Sequence, residues 1–354
     1  VEGYFNDNLS WFYMAGANNI QNINSVQSGN VDRIRNISFY GRANYSFDSR
    51  YMLQATVRRD GSSVFGKNKR WGTFPSVSLA WNITEEGFMK NQNVFDNLKL
   101  RAGYGISGNA MGFDPYSSYP AYGAVGLFEY DNKWYRIYGA TKNPNLDLKW
   151  ESTGMLNIGL DFAFLRGRIN GTIEVYHKKT KDLIWSYPVP TTKYIYSWLD
   201  VNVGEMTNKG IEFTLNMVPV KTRTFTWNTT INLSHNKNVV DKMQNEQYQT
   251  TLLTQGDPMV AGVSANGWTQ RIMEGESIGT FYTYQYAGTV NGRSEYYVLD
   301  EKGNRTGETT NNPSLKDRSI TGCAQPKLNA GWNNTLTYKN WNLNAFITGV
   351  FGND

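Results

Sequence analysis

Cysteine is nearly missing from this chain of 354 residues: Cys323 stands alone, which excludes a disulfide framework and a cysteine-built metal site. Histidine is almost as scarce. His177 and His235 have no ligand-spaced companion, so neither a metal nor another cofactor is expected. Long apolar runs are missing too, since no stretch reaches the roughly 18 residues that a spanning helix requires. Charge of one sign is not concentrated: 35 basic against 30 acidic residues leave a scattered net charge of +5, and nucleic acid is not an expected partner. The opening "VEGYFNDNLSWF" lacks a positive start followed by an apolar stretch, so no signal peptide is legible. The chain begins and stops abruptly, and a piece of something longer is the expectation.

Aromatic residues, by contrast, make up 14% of the chain, with Asn, Thr, Ser and Gly between them, a mixture that favours strands. The dominant pattern has period two. In "ISFYGRANYSF", Ile37, Phe39, Gly41, Ala43, Tyr45 and Phe47 share one face, against Ser38, Tyr40, Arg42, Asn44 and Ser46. "YMLQATVRRD", "FPSVSLAWNIT", "FTWNTTINLSHN", "LNAGWNNTLTY" and "WNLNAFITGVF" alternate in the same way. Strict alternation indicates strands with two different faces. Soluble strands peak near five or six residues. These runs hold for roughly ten to twelve, the length a tilted strand needs to cross a bilayer. Their polar face is small and uncharged, which suits a wet lumen. Tyr51, Trp81, Trp150, Tyr338 and Trp341 near strand ends fit an interfacial aromatic girdle. Arg59 has lipid-side parity at the outer end of its strand and is expected beside lipid phosphates.

Connections alternate between short and long. Short ones are "DSR", "RGR", "KTRT" and "KN"; long ones fall at 61–72, about 108–149, 183–207, 238–276 and about 300–326. The segment 85–97 is intermediate, with room for a helical turn, and Asn291-Gly292 reads as a hairpin turn on the short-turn rim. Short turns on one rim and long loops on the other mark an outer-membrane barrel. About twelve strands and a single domain are expected, so the fold class is all-β, an antiparallel transmembrane barrel segment.

Two glycine patterns imitate nucleotide sites. Gly61 to Lys67 reads G-x-x-x-x-G-K, but Asn68 replaces the magnesium-binding hydroxyl, and a strand follows where a helix should. "GYGISG" fails the same test, and lumen-facing glycines beneath close packing are expected instead. Glu174 and Glu212 read as isolated inward carboxylates with no acid partner at a fixed spacing, so paired-carboxylate hydrolysis is unsupported. No catalytic residue is expected, and the chain is not read as an enzyme. The long loops carry aromatics able to stack on sugar rings or peptide side chains: Trp134 and Tyr135, then Trp185, Tyr194 and Trp198, and finally Trp268. Packing of the loops on one another is the alternative role.

The ordered series "FYGRANYSFDSRYMLQATVRRDGSSVFGKNKRWGTFPSVSLAW", "NLKLRAGYGISGN", "NPNLDLKWESTGMLNIGLDF", "IEVYHKKTKDLI", "VNVGEMTNKGIEFTL", "TWNTTINLSHNKNVV" and "PKLNAGWNNTLTYKNWNLNAFITGVFGND" closely resembles the SusC/RagA-like TonB-dependent transporters of Bacteroidetes outer membranes. The resemblance covers 37–354 and leaves 1–36 as an outer loop and strand end. It implies a plugged barrel of about 22 strands. It also implies a SusD-like surface lipoprotein, energy from TonB, contact with outer-membrane lipid, and import of an oligosaccharide or a peptide. Neither a plug nor a TonB box is legible in the chain. A passive porin or adhesin-like barrel, and a soluble carbohydrate-binding β protein, remain the competing readings.

Overall fold

The computed structural model describes residues 33–110, 114–244, 248, 252–255 and 269–354. Ten strands form one antiparallel sheet in which every neighbour is also the next long strand along the chain. They are β1 (Asn36–Phe47), β2 (Tyr51–Ser62), β3 (Trp71–Asn82), β4 (Phe95–Asn109), β7 (Glu151–Phe164), β8 (Ile169–Pro188), β9 (Trp198–Lys221), β10 (Phe225–Lys242), β18 (Leu328–Tyr338) and β19 (Trp341–Phe351). The remaining strands are short and belong to the excursions between them. β5 (Ala121–Tyr130) and β6 (Lys133–Lys142) make a hairpin between β4 and β7. Between β10 and β18 lie β11 (Leu252–Gln255), β12 (Gln270–Met273), β13 (Thr280–Tyr284), β14 (Tyr286–Val290), β15 (Arg293–Leu299), β16 (Arg305–Thr310) and β17 (Arg318–Cys323). Where about twelve wall strands were expected, ten are present among the described residues, because the alternating runs on either side of Asn291-Gly292, at 280–299, build side sheets instead.

Pairing register carries the alternation of each strand into its neighbour. Tyr45 lies opposite Leu53, Leu53 opposite Leu79, Leu79 opposite Ala102, and Ala102 opposite Ile158. Ile158 continues the row to Val175 and then Ile211. Through the middle rows of the sheet one face is therefore apolar, and it is exposed: Tyr45 at 61%, Leu79 at 55% and Ile347 at 56%. Contiguous apolar exposure on this scale marks an interaction surface, and period-two exposure on tilted strands matches a lipid-facing wall. Every buried hydrophobic side chain among the described residues lies instead at the long-connection rim, as with Val64, Phe65, Leu148, Tyr187, Val201, Val240 and Leu299.

The short-turn rim closes by left-handed backbone at Asp48 and Ser49, at Leu165, Arg166 and Gly167, and at Lys339. The β3–β4 link carries two 3-10 turns, Ile83–Glu85 and Gly87–Met89. Between them Glu86 is buried and accepts hydrogen bonds from the Tyr51 hydroxyl at 2.5 Å, the Trp81 indole at 3.0 Å and Arg50 at 3.4 Å. The Tyr51 hydroxyl first, then Trp81 and Arg50, hold this carboxyl below its ordinary range against the opposing effect of burial. A depressed folded value contributes stability above the ordinary carboxylate range, about pH 4, and that stability is lost as pH falls through the depressed value. Protection of the 83–94 amides against hydrogen exchange, taken relative to the intrinsic rate at each pH, is accordingly expected to fall on acidification, and Glu86→Gln to flatten that pH profile. An unchanged profile in the variant would remove the assignment.

Two expectations about position need correction. Asn291 and Gly292 do form a left-handed two-residue turn, between β14 and β15. It lies, however, inside the long β10–β18 excursion and not on the short-turn rim. Trp150 is no girdle residue either: it packs against Phe65 and Phe74 at centroid distances of 4.9 and 5.4 Å, with its indole donating to the Arg70 carbonyl. Tyr51, Trp81, Tyr338 and Trp341 do sit at the short-turn rim, the last two facing each other across the β18–β19 turn.

Candidate functional site

The polar face of the sheet is held by cross-strand pairs of amides and hydroxyls, the unit that stabilises a sheet surface. Thr214 donates to Asn232, Thr230 to Asn216, and Asn216 to Asn170, all at 2.9–3.1 Å. At its centre Arg101 of β4 donates two hydrogen bonds to Asp161 of β7, at 2.8 and 2.9 Å, and one to Glu174 of β8 at 2.6 Å. Thr172 donates to the same Asp161 at 3.0 Å. Gly159 lies beneath the guanidinium; a Cβ there would come within 2.9 Å of Nη2. Two grooves of about 530 and 440 Å³ run along this face, the first past Asn44, Gln54, Ser78, Arg101 and Asn157, the second past Ser38, Arg58, Ser107 and Trp150.

This network revises the reading of the inward carboxylates. Glu174 and Glu212 are not isolated: they stand directly opposite each other in the β8–β9 register, with Glu174 also bonded to Arg101. Sequence spacing hides this because strand register places distant residues side by side. The glycine patterns resolve as packing devices. Gly105 and Gly103 lie against Ser76 and Ser78, and the Phe74 ring covers Gly108. The Gly66 amide donates to the Leu148 carbonyl at 3.3 Å, so it serves the chain and not a phosphate. Lys67 is exposed.

At the long-connection rim the expected loop 183–207 is mostly strand: β8 and β9 continue as a ribbon, paired to Pro188 and Trp198, and the link shrinks to 189–197. The ribbon has its own core of Tyr187, Val189, Leu199, Val201 and Val203, with Trp185, Tyr194 and Tyr248 packed on it. Burial, and then hydrogen bonding with Tyr194, push the Tyr248 hydroxyl up to about 12. Segment 143–150 straps the ribbon to the wall. Asn143 is buried and donates to the carbonyls of Tyr196 and Trp198, while Asn202 bonds both the amide and the carbonyl of Lys149.

The candidate aromatics therefore separate into groups. Trp185 and Tyr194 pack into the ribbon, and Trp198 at its end is 45% exposed. Trp134 and Tyr135 stand on β6, 65% and 50% exposed, opposite Glu129 and Phe128. Trp268 lies outside the described residues. The same hairpin also exposes Tyr122, Phe128, Tyr130 and Tyr138, which sequence reading passed over. The alternation around Asp131-Asn132, both left-handed, was the signal for them. Arg59 does lie on the apolar face, with its guanidinium 5.7 Å from the Trp71 ring centroid and Phe39 stacked on that same ring.

An antiparallel meander with an exposed apolar face, a hydrogen-bonded polar face and one elaborated rim defines the wall of an outer-membrane β-barrel. Residues 2–349 match the family model described as TonB dependent receptor-like, beta-barrel, and the chain belongs to that family. It is 37% identical over 277 residues to the TonB-dependent receptor SusC of Bacteroides thetaiotaomicron, covering 76% of this chain and 27% of that relative. It is 33% identical over 360 residues to the TonB-dependent receptor P26 of Formosa agariphila, covering 96% of this chain and 34% of the relative. The fold is that of the solved RagAB peptide transporter, with a TM-score of 0.75, 24% identity, and 90% of this chain against 34% of that one. The chain thus spans about a third of the length of the relatives it matches. It is an outer-membrane protein segment.

Proposed function

We propose that this chain forms part of the wall of a TonB-dependent importer that carries an oligosaccharide across the outer membrane. The observation that carries the reading is the pairing of an apolar outer face with a polar face of amides and hydroxyls centred on Arg101, Asp161 and Glu174. Such a surface exchanges hydrogen bonds with a neutral polar cargo and needs no catalytic group. β1 and β19 are the open edges of the ten-stranded sheet. Open edges are not tolerated in lipid, so further strands close the barrel, with 37–354 contributing part of its wall; the outer loop expected at 1–36 falls almost wholly outside the described residues. Plug and TonB box belong to the rest of the receptor. The β5–β6 hairpin supports a SusD-like lipoprotein partner, because an isolated two-stranded ribbon is marginal and this one exposes aromatics on both faces. Trp134, Tyr135, Trp198 and Trp268 are proposed to meet cargo or partner, and Trp185 and Tyr194 to shape the ribbon that presents them.

Deleting the receptor gene is expected to abolish growth on the oligosaccharide while growth on its monosaccharide continues. Trp198→Ala should raise the half-saturating oligosaccharide concentration by roughly three- to tenfold, the worth of one aromatic stacking contact. Growth on oligosaccharide without the gene would overturn the cargo reading. Loss of growth only on oligopeptides would transfer it to peptide.

A further inference from the structure

We propose that the outer ends of β8, β9 and β10 carry, on the apolar side of the sheet, a binding site for the phosphorylated headgroup of an outer-leaflet lipid. On this face each strand changes character at nearly the same level. β8 runs Ile173, Val175, then His177 and Lys179; β9 runs Phe213, Ile211, then Lys209; β10 runs Ile231, Leu233, then His235 and Lys237. Register aligns the change. Val175, Ile211 and His235 form one row, His177, Lys209 and Lys237 the next, and Lys179, Thr207 and Val239 the one beyond. Above these rows the ribbon leaves for the outside; below them the face is hydrocarbon-like.

A groove of about 600 Å³ lies among His177, Lys179, Thr207, Lys209 and Lys237. Of the acidic groups here, Glu205 is ion-paired with Lys179 at 2.9 Å, and Asp241, itself a lining residue at the outer end of the groove, accepts from the Thr207 hydroxyl. Among the described residues Lys209 and Lys237 have no ion-pair partner. They stand directly opposite each other on adjacent strands, where like charges are destabilising. An anion between them converts that repulsion into two attractions. Because the row sits where acyl chains give way to headgroups, the anion is a lipid phosphate and not a soluble one. The site rests on the outer-membrane placement of the wall and is independent of the cargo.

The test uses the full-length receptor in detergent, titrated with purified lipid A while thermal unfolding is followed. Dephosphorylated lipid A and inorganic phosphate are the comparison titrants. Each lysine near an anionic surface is worth roughly fivefold in affinity, so Lys209→Gln with Lys237→Gln should weaken lipid A binding on the order of twentyfold. Lys209→Arg with Lys237→Arg should keep it, as should the loop control Lys302→Gln with Lys316→Gln. Equal lipid A affinity in the glutamine variant and the wild type would overturn the proposal. So would equal stabilisation by dephosphorylated lipid A, or by inorganic phosphate at the same concentration.

Discussion

Replacing Gly66 by alanine is expected to detach the outer rim from the wall. A Cβ at this position would lie 1.8 Å from the Leu146 carbonyl oxygen and 2.3 Å from its carbon, both backbone atoms that no rotamer can withdraw. Those atoms belong to the 143–150 strap, which docks beside Gly66 and packs its own Leu148 against Val64 and Phe65, all three fully buried. To admit the methyl group the strap must lift. Lifting it breaks the Gly66–Leu148 hydrogen bond and exposes the Trp150 packing on Phe65. Overpacking costs about 1–3 kcal/mol where side chains can yield, and more where they cannot; about 3 kcal/mol or more is expected here. The readouts are a lowered unfolding temperature of the detergent-solubilised receptor and new proteolytic cleavage within 143–150. Gly41→Ala is the control, since nothing lies within 4 Å of a Cβ built there. Equal stability of the two variants would sink the strap assignment.

The second large effect belongs to Arg101. Arg101→Met leaves Asp161 with the Thr172 hydroxyl and the Lys99 charge opposite it in the β4–β7 register, and leaves Glu174 facing Glu212 without its guanidinium partner. Removing one partner of a fully buried ion pair costs about 3–5 kcal/mol. The Arg101 side chain is 33% exposed and its carboxylates 25% and 26%, so solvent screening reduces the expected loss to about 1–3 kcal/mol. Adding Asp161→Asn and Glu174→Gln to the same chain should recover most of it, because the penalty comes from uncompensated charge. A single variant as stable as the wild type, measured by thermal unfolding of the receptor, would show that the three groups are merely adjacent.

Strand existence was legible because side-chain direction alternates within a single pleated strand, so each of the long runs declared itself. Rim asymmetry was legible from connection length alone. Glu174 and Glu212, by contrast, became neighbours only through the β8–β9 register. Arg101 found Asp161 and Glu174 on two different strands, and no spacing in the chain announces that meeting. Trp150 looked like an interfacial anchor because its neighbours read as a strand end, yet the cavity between Phe65 and Phe74 claimed it. Asn291-Gly292 had the right turn chemistry, but the rim it occupies depends on how many strands the β10–β18 excursion folds back before rejoining the wall.

Period-two patterning, strand length and turn chemistry are local, governed by the pleat and by backbone torsions, and the sequence by itself determined them: an all-β wall with one lipid-facing side and one wet side. Register and docking are non-local, set by which backbone donors meet which acceptors and by which loop fills which gap. Those the tertiary structure decided: the Arg101 network, the 143–150 strap against Gly66, and the row of His177, Lys209 and Lys237 above the apolar face.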